Sequence, residues 1–255
     1  MKKRPLFAAL LAMLMLALAA CSNGGGEGSD PGKDEGPREL TVFAAASLEP
    51  TFKELAKTFE AEHEGVKVQL NLAGSSDLVT QISEGAPADV LATANEKTMK
   101  TAEEYVNEPV LFATNSLVIA VNPGNPKGIK SLQDLTRDDV VTVVCAPQVP
   151  CGAATEKILE ATGVDLKPAS EESSVTDVLG KVASGQADAG LVYTTDISRA
   201  EVEAVKFPEA DDAINKYPIA VVKDSSHAEL AQAWVDLVTG EEGQRVLGEA
   251  GFDKP

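Results

Sequence analysis

The feature that most constrains the fold of this chain is a strand that ends in small residues and passes directly into a helix. Residues 41–43 form a β-type apolar run, and small residues follow from Ala44 to Ser47. From Leu48 onward, apolar residues recur every three or four positions, which is helical spacing. We place Ser47 at the N-cap of this helix, where its side-chain oxygen accepts from a free backbone N–H. The free N–H groups and positive dipole end of such a helix favour a bound anion.

This strand–turn–helix unit recurs along the chain. The alternating run 66–72 ends at Gly74 and Ser75, and the buried run 140–145 leads through a proline-containing loop to a helix over 153–162. A fourth helix begins at residues 173–175, and the strand after it ends at Tyr193. The alternation predicts an α/β fold with a largely parallel sheet. Ligands bind outside the carboxyl ends of strands in open α/β sheets, so we expect a site at these strand ends.

Charge and motif content disfavour several functional classes. The chain carries 22 Lys+Arg against 40 Asp+Glu, for a net charge of −18. Such a surface repels nucleic acid and favours a small anion site built from neutral donors. The sequence has no nucleophile elbow, phosphate-binding loop or dinucleotide fingerprint. Its two histidines, His63 and His227, lie in polar contexts without a triad or a zinc set. We therefore predict that the protein is not an enzyme, needs no cofactor and binds no nucleic acid.

The N-terminus predicts export and lipid anchoring. A basic start at residues 2–4 precedes an apolar run from Leu6 to Ala20, which is too short to span a membrane. The run closes on Leu18-Ala19-Ala20-Cys21, which resembles a bacterial lipobox. We predict a lipoprotein signal peptide over 1–20, a lipidated Cys21 and a Gly/Ser-rich disordered linker to residue 38. The domain would then be extracytoplasmic and held at the cell membrane. The alternative is an ordinary signal peptide with an incidental cysteine.

Two cysteines remain after Cys21, and they lie six residues apart at positions 145 and 151. In an oxidising compartment, Cys145 and Cys151 are most simply interpreted as a disulfide. So small a ring stabilises the fold by only about 2 kcal/mol, so we expect it mainly to stiffen its loop. A redox-active pair is the alternative, although the spacing is not Cys-x-x-Cys.

Seven short sequence blocks follow one another along the chain: AAASL (44–48), AGSSDL (73–78), GAPADV (85–90), NSLV (115–118), VPCG (149–152), GLVYTTD (190–196) and YPIA (217–220). In this order they resemble the molybdate-binding proteins of bacterial molybdate ABC transporters, and the similarity runs from about residue 40 to the C-terminus. The resemblance implies a two-lobed, type II periplasmic binding protein, in which each lobe is a mostly parallel sheet flanked by helices and two crossing hinge strands join the lobes. We place lobe 1 at residues 39–119 plus 221–255 and lobe 2 at residues 120–220.

The same resemblance implies the ligand and its contacts. Molybdate, and tungstate with it, would be held between the lobes as an oxyanion, by neutral donors and without direct coordination of the metal. Ser47 and Ser75 would donate through hydroxyl and backbone N–H, Cys151 and Val175 through backbone N–H, and Tyr193 through its phenol. The implied partner is a molybdate ABC transporter permease, and we expect a monomer. Two alternatives stay open: another oxyanion such as sulfate, or a thiol-redox lipoprotein that uses the remaining cysteine pair.

Overall fold

The computed structural model describes residues 38–255. The predicted signal peptide, the lipidated Cys21 and the linker up to residue 37 lie outside these residues. Arg38 was assigned to the linker but already belongs to the first strand, because its N–H donates to the Gly65 carbonyl oxygen at 2.9 Å. Within residues 38–255, no helix has both the length and the apolar character needed to cross a membrane.

Strands and helices alternate along the described residues, as the sequence predicts. The strands are β1 (Arg38–Ala45), β2 (Val66–Ala73), β3 (Val90–Ala92), β4 (Val110–Asn115), β5 (Leu117–Val121), β6 (Thr142–Cys145), β7 (Ser170–Glu172), β8 (Ala189–Tyr193), β9 (Glu203–Val205) and β10 (Asn215–Val221). The α-helices are α1 (Glu49–Glu62), α2 (Ser75–Ser83), α3 (Glu96–Thr101), α4 (Pro150–Thr162), α5 (Val175–Ala183), α6 (Ala228–Thr239) and α7 (Glu241–Glu249).

The strands form two five-stranded sheets with the same connectivity. Their orders are β2-β1-β3-β10-β4 and β7-β6-β8-β5-β9. In each sheet four strands run in one direction, and the exception, β10 or β5, pairs antiparallel with both of its neighbours. Each exception is the first strand after the chain arrives from the other sheet. We call the first sheet with its helices lobe 1 and the second lobe 2.

The chain changes sheets at Ser116 and again within residues 206–214. These two changes lie a few residues before the lobe boundaries that we placed after residues 119 and 220. The residue-level division into lobes therefore remains a prediction.

Amphipathic helices cover the sheets and build the core. In lobe 1, Phe52 and Phe59 project from α1 onto Trp234 of α6, with ring centroids 5.5 Å apart in both pairs and near-perpendicular planes. Trp234 is fully buried. In lobe 2, α5 packs so closely on β8 that a Cβ at Gly190 would lie 2.6 Å from a Val178 methyl group. This packing leaves the carboxyl ends of the strands, and the turns that follow them, free to build a site.

Candidate functional site

One small cavity brings together all five residues that the resemblance implies as ligand contacts. They follow the carboxyl ends of strands in both lobes. The free space inside the cavity is about 10 Å³, which is room for about one water molecule. Of the described residues, none that lines it is charged. The lining residues are Ala45, Ala46, Ser47, Ala73, Gly74, Ser75, Ala94, Val149, Pro150, Cys151, Val175 and Tyr193.

The predicted N-cap role of Ser47 is wrong. Residues Ala46–Leu48 form a 3-10 turn, and Leu48 is the N-cap residue of α1, which no side chain caps. A side-chain cap is less needed here because Pro50, in the first turn, carries no N–H to satisfy. The Ser47 hydroxyl is buried and lies 3.0 Å from the hydroxyl of Tyr217 on β10.

Ser75 is the first residue of α2, and its side chain does not cap the helix either. Gly74 occupies the N-cap position. The Ser75 Oγ accepts the backbone N–H of Ala94 at 3.0 Å, so its own proton remains available to the cavity. The backbone N–H of Ser75 belongs to the first helical turn and has no intrahelical acceptor. Ser75 can thus offer two neutral donors to one anion.

In lobe 2 the cavity is formed by the first turns of α4 and α5. Helix α4 begins at Pro150, earlier than predicted, because proline suits a first turn. Cys151 follows it and forms a disulfide with Cys145, with Cα atoms 5.7 Å apart. The sulfur is thereby bonded, and Cys151 offers the cavity its backbone N–H. Both cysteines are at most 2% exposed, which disfavours thiol–disulfide exchange. In α5, Val175 follows Ser174, which caps the helix by accepting from the Asp177 N–H at 3.2 Å.

Tyr193 closes the cavity from the end of β8. Its side chain is buried, and its hydroxyl oxygen accepts from Nδ2 of Asn215 at 3.0 Å. Burial, reinforced by the neighbouring Tyr217 and Asp196, raises the pKa of the Tyr193 phenol well above its usual value. The phenol therefore keeps its proton at physiological pH and can donate it to an anion.

Sequence reasoning missed two residues that join the lobes beside the cavity. Arg199, after β8, donates to the Ala46 carbonyl oxygen at 3.1 Å and pairs with Glu49 of α1 and with Asp196. Asn215, on β10, donates to Tyr193 and also to the Ala94 carbonyl oxygen at 2.8 Å. No sequence motif marks either residue, because their partners come from distant parts of the chain.

Two sequence blocks contain a carboxylate, Asp77 or Asp196, that could accept the proton of a protonated anion if it faced the cavity. Asp77 is exposed on the first turn of α2, and it does not line the cavity. Asp196 is fully buried, but its carboxylate accepts from the Tyr193 N–H at 3.1 Å and from Arg199 at 2.9 Å. It does not line the cavity either. The site therefore presents hydroxyl and backbone N–H donors, a set suited to a fully deprotonated oxyanion.

Comparisons with known proteins identify the family and the fold. The family model of bacterial extracellular solute-binding proteins matches residues 40–253. The chain is 48% identical over 249 residues to the molybdate-binding protein ModA of Mycobacterium tuberculosis, which covers 96% of this chain and 95% of that protein. The periplasmic molybdate-binding protein of Azotobacter vinelandii shares the fold, with a TM-score of 0.73 and 22% identity over 85% of this chain and 99% of that one. The sulfate-binding protein SubI of Mycobacterium tuberculosis shares it too, with a TM-score of 0.74 and 20% identity over 85% and 87% of the two chains.

Proposed function

Because this chain belongs to the family of bacterial extracellular solute-binding proteins, we propose that it captures molybdate between its lobes and delivers it to an ABC transporter permease. Tungstate, a dianion of the same shape, is the second proposed ligand. The observation that carries the proposal is the closed, uncharged cavity on which three hydroxyls and the first turns of three helices converge. The Mycobacterium tuberculosis relative supports molybdate as the ligand.

Capture by this cavity requires the lobes to move. A tetrahedral oxyanion is larger than the single water that the cavity of this structure accommodates. The lobes must therefore part to admit it, and they then close on it with a wider spacing between their donors than in this structure. Donors from both lobes then replace its hydration shell. Closure also makes the contacts of Arg199 and Asn215 between the lobes, so a closed, loaded form differs in shape from an open one. We propose that the permease recognises this closed form.

Selectivity follows from the donor set and from the size of the cavity. Hydrogen phosphate needs an acceptor for its proton, and the described cavity lining contains no carboxylate. Sulfate carries the same charge and shape as molybdate but is smaller. We propose that the lobes close on molybdate with a spacing of donors at which sulfate makes poorer contact. The same fold serves the sulfate-binding neighbour, so sulfate is the alternative ligand that the test must address.

The test is calorimetric titration of the full chain, purified in a mild detergent, with molybdate and then with sulfate. We expect tight one-to-one binding of molybdate that excess sulfate does not displace. Ser75→Ala should weaken molybdate binding about 10- to 100-fold, because a hydrogen bond to a charged group contributes about 1.5–3 kcal/mol. The matched control is Ser76→Ala, one residue along α2 and outside the cavity lining, which should change affinity less than twofold. No heat with molybdate, or equal affinity for sulfate, would refute the molybdate assignment.

We also expect three lysines to speed anion capture. Lys97 of lobe 1, Lys157 of lobe 2 and Lys216 of β10 line one groove of about 280 Å³, and Pro150 lines both this groove and the cavity. All three are exposed, and none forms an ion pair with another described residue. A local positive patch raises the association rate of an anion in a protein whose overall charge repels it.

Replacing these three lysines with glutamine should lower the association rate of molybdate about tenfold at low salt and leave the dissociation rate nearly unchanged. The matched control removes three charges elsewhere, at Lys57, Lys130 and Lys206, which are also exposed and form no ion pair with another described residue. Stopped-flow binding at two salt concentrations measures both rates. Equal slowing by the two triple variants would show that net charge, rather than this groove, sets the rate.

We further propose that lipid on Cys21 anchors the protein at the outer face of the cell membrane. The support is the Leu-Ala-Ala-Cys sequence at the end of the apolar N-terminal run. Cys21→Ser should abolish incorporation of labelled fatty acid and move the protein from the membrane fraction to the medium or periplasm. Ser22→Ala, the matched control beside it, should leave both unchanged. A Cys21→Ser protein that still carries lipid would contradict the proposal.

A further inference from the structure

The proton of the Tyr193 hydroxyl can point into the cavity or away from it, and the hydrogen bonds that the hydroxyl forms with neighbouring groups set this direction. A phenol oxygen both donates and accepts, so its usefulness to an anion depends on the direction of its proton. The neighbour that fixes this direction is Asn215, whose side chain is 4% exposed and lies 3.0 Å from the Tyr193 hydroxyl.

The amide of Asn215 has only one orientation that fits its surroundings. The atom that faces Tyr193 also lies 2.8 Å from the carbonyl oxygen of Ala94 and 3.4 Å from that of Pro150. Carbonyl oxygens only accept, so this atom must be the NH₂ nitrogen, which only donates. The Tyr193 oxygen therefore accepts at this contact, and its proton points away from Asn215. Besides the cavity, this proton can reach the neighbouring Tyr217 hydroxyl, but that hydroxyl already has a partner in Ser47, at 3.0 Å.

We infer that Asn215 is a positioning residue that aims the Tyr193 proton into the cavity and so sets the site's preference for fully deprotonated oxyanions. Ser75 is held in the same way, because its oxygen accepts the Ala94 N–H. In both cases a group that can only donate, the Asn215 NH₂ or the Ala94 N–H, forms a hydrogen bond to the hydroxyl oxygen, so the hydroxyl proton must point elsewhere. The inference rests on the proposed function, since it concerns the same cavity, but it assigns a role to a residue outside the ligand contacts.

The contact also links donor direction to closure. Asn215 lies on β10 of lobe 1, whereas Tyr193 ends β8 of lobe 2. When the lobes part, the two side chains separate, and the Tyr193 proton is no longer directed by the amide. The phenol is thus organised as an anion donor only in the arrangement that encloses the anion.

A double-mutant cycle on the full chain tests the inference. Aspartate has the shape of asparagine, but it carries at most one proton where the amide carries two, and the Ala94 carbonyl competes for that proton. Asn215→Asp should therefore draw the Tyr193 proton away from the cavity. We expect Asn215→Asp and Tyr193→Phe each to weaken molybdate binding about 30-fold. In the Tyr193→Phe background, Asn215→Asp should cost less than about threefold more, because the group through which it acts has been removed.

Asn115→Asp is the matched control for the added acidity. Asn115 is the register partner of Asn215 on β4, is equally buried, and donates to Thr195 rather than to Tyr193. Its effect should multiply with that of Tyr193→Phe. Thermal unfolding of each ligand-free variant separates loss of fold from loss of binding.

Three outcomes overturn the inference. The Asn215→Asp protein could bind molybdate within threefold of the wild-type affinity, or the Tyr193→Phe protein could bind it as tightly as the wild type. The third outcome is a double variant whose loss of affinity equals the product of the two single losses. Failure of the proposed function shows separately, in the wild-type titration. If the wild type binds sulfate instead of molybdate, the ligand assignment fails, and the same cycle run with sulfate still decides the role of Asn215. If it binds neither, both proposals fail.

Discussion

Gly152→Ala is expected to lower the free energy of unfolding by about 3 kcal/mol and to weaken anion binding at the same time. A Cβ at Gly152 would lie 2.0 Å from the Ala146 carbonyl oxygen and 2.6 Å from that of Cys145. These are backbone atoms of the loop that the Cys145–Cys151 disulfide closes, so they cannot rotate away as a side chain would. Relief of the clash must shift the first turn of α4, which supplies the Cys151 N–H. Urea denaturation and molybdate titration measure the two effects.

Gly180→Ala is the matched control for this substitution. Gly180 lies within α5, and a Cβ there would meet nothing within 4 Å. Alanine has the higher helix propensity, so this change should stabilise the protein by about 0.5–1 kcal/mol. If the free energy of unfolding of the Gly152→Ala protein lies within about 1 kcal/mol of the wild-type value, the loop can move to make room for the added methyl group, and the prediction is wrong.

Most of the fold could be predicted because its signals are local. Alternating apolar residues and helical spacing identify the elements beside the site, such as β2, which the alternating run 66–72 predicts to within one residue. Strand β4 carries a weaker signal because it lies at the edge of its sheet, where Val110 is about half exposed. The two-lobed arrangement carries no local signal and was implied only by the resemblance, and the strand order that the two sheets share was not predicted. Family membership and fold class are confirmed by the family match and the Azotobacter vinelandii structure.

The site was predictable only in part, for a similar reason. Four of the five expected contacts lie in sequence blocks that carry the resemblance, and Val175 lies outside those blocks. The structure brings all five to one cavity. Their role in binding an anion is still a proposal. The hydrogen-bond partner of Ser47 was predicted wrongly because a serine before a helix usually caps it, whereas here the partner is Tyr217, 170 residues away. Asn215 and Arg199 act across the two lobes, and no pattern within one segment reports such a contact.

The second large effect is expected at Arg199, whose side chain is 11% exposed. It pairs with Asp196 of its own segment and, across the lobes, with Glu49 of α1. Arg199→Met should lower the free energy of unfolding by about 3–5 kcal/mol at neutral pH, because it leaves the fully buried Asp196 without its cation. It should also weaken molybdate binding, since Arg199 holds the Ala46 carbonyl oxygen next to Ser47. Urea denaturation across the pH range measures the stability loss.

The pH dependence of this loss has a defined sign. Burial raises the pKa of Asp196 in the folded protein, and Arg199 opposes that rise. A raised pKa favours the protonated carboxyl in the folded state. The resulting stability is complete below the unfolded pKa of about 3.9 and is lost as pH rises through the folded pKa. Without Arg199 the folded pKa of Asp196 rises further, so its ionisation costs more at high pH. The difference between variant and wild type should therefore be largest near pH 8 and should shrink toward pH 5.

Arg245→Met provides the comparison, because Arg245 also pairs with carboxylates: Glu242 and Glu249, each at 2.7 Å, and Glu54 at 3.8 Å. Its side chain is 46% exposed, so water and salt screen these contacts, and the loss should be small and nearly independent of pH. The two arginines differ chiefly in burial, so the comparison isolates the cost of leaving a buried carboxylate unpaired. Equal losses for the two variants, or a loss at Arg199 that does not change between pH 8 and pH 5, would show that the buried Asp196 does not depend on Arg199 as its cation.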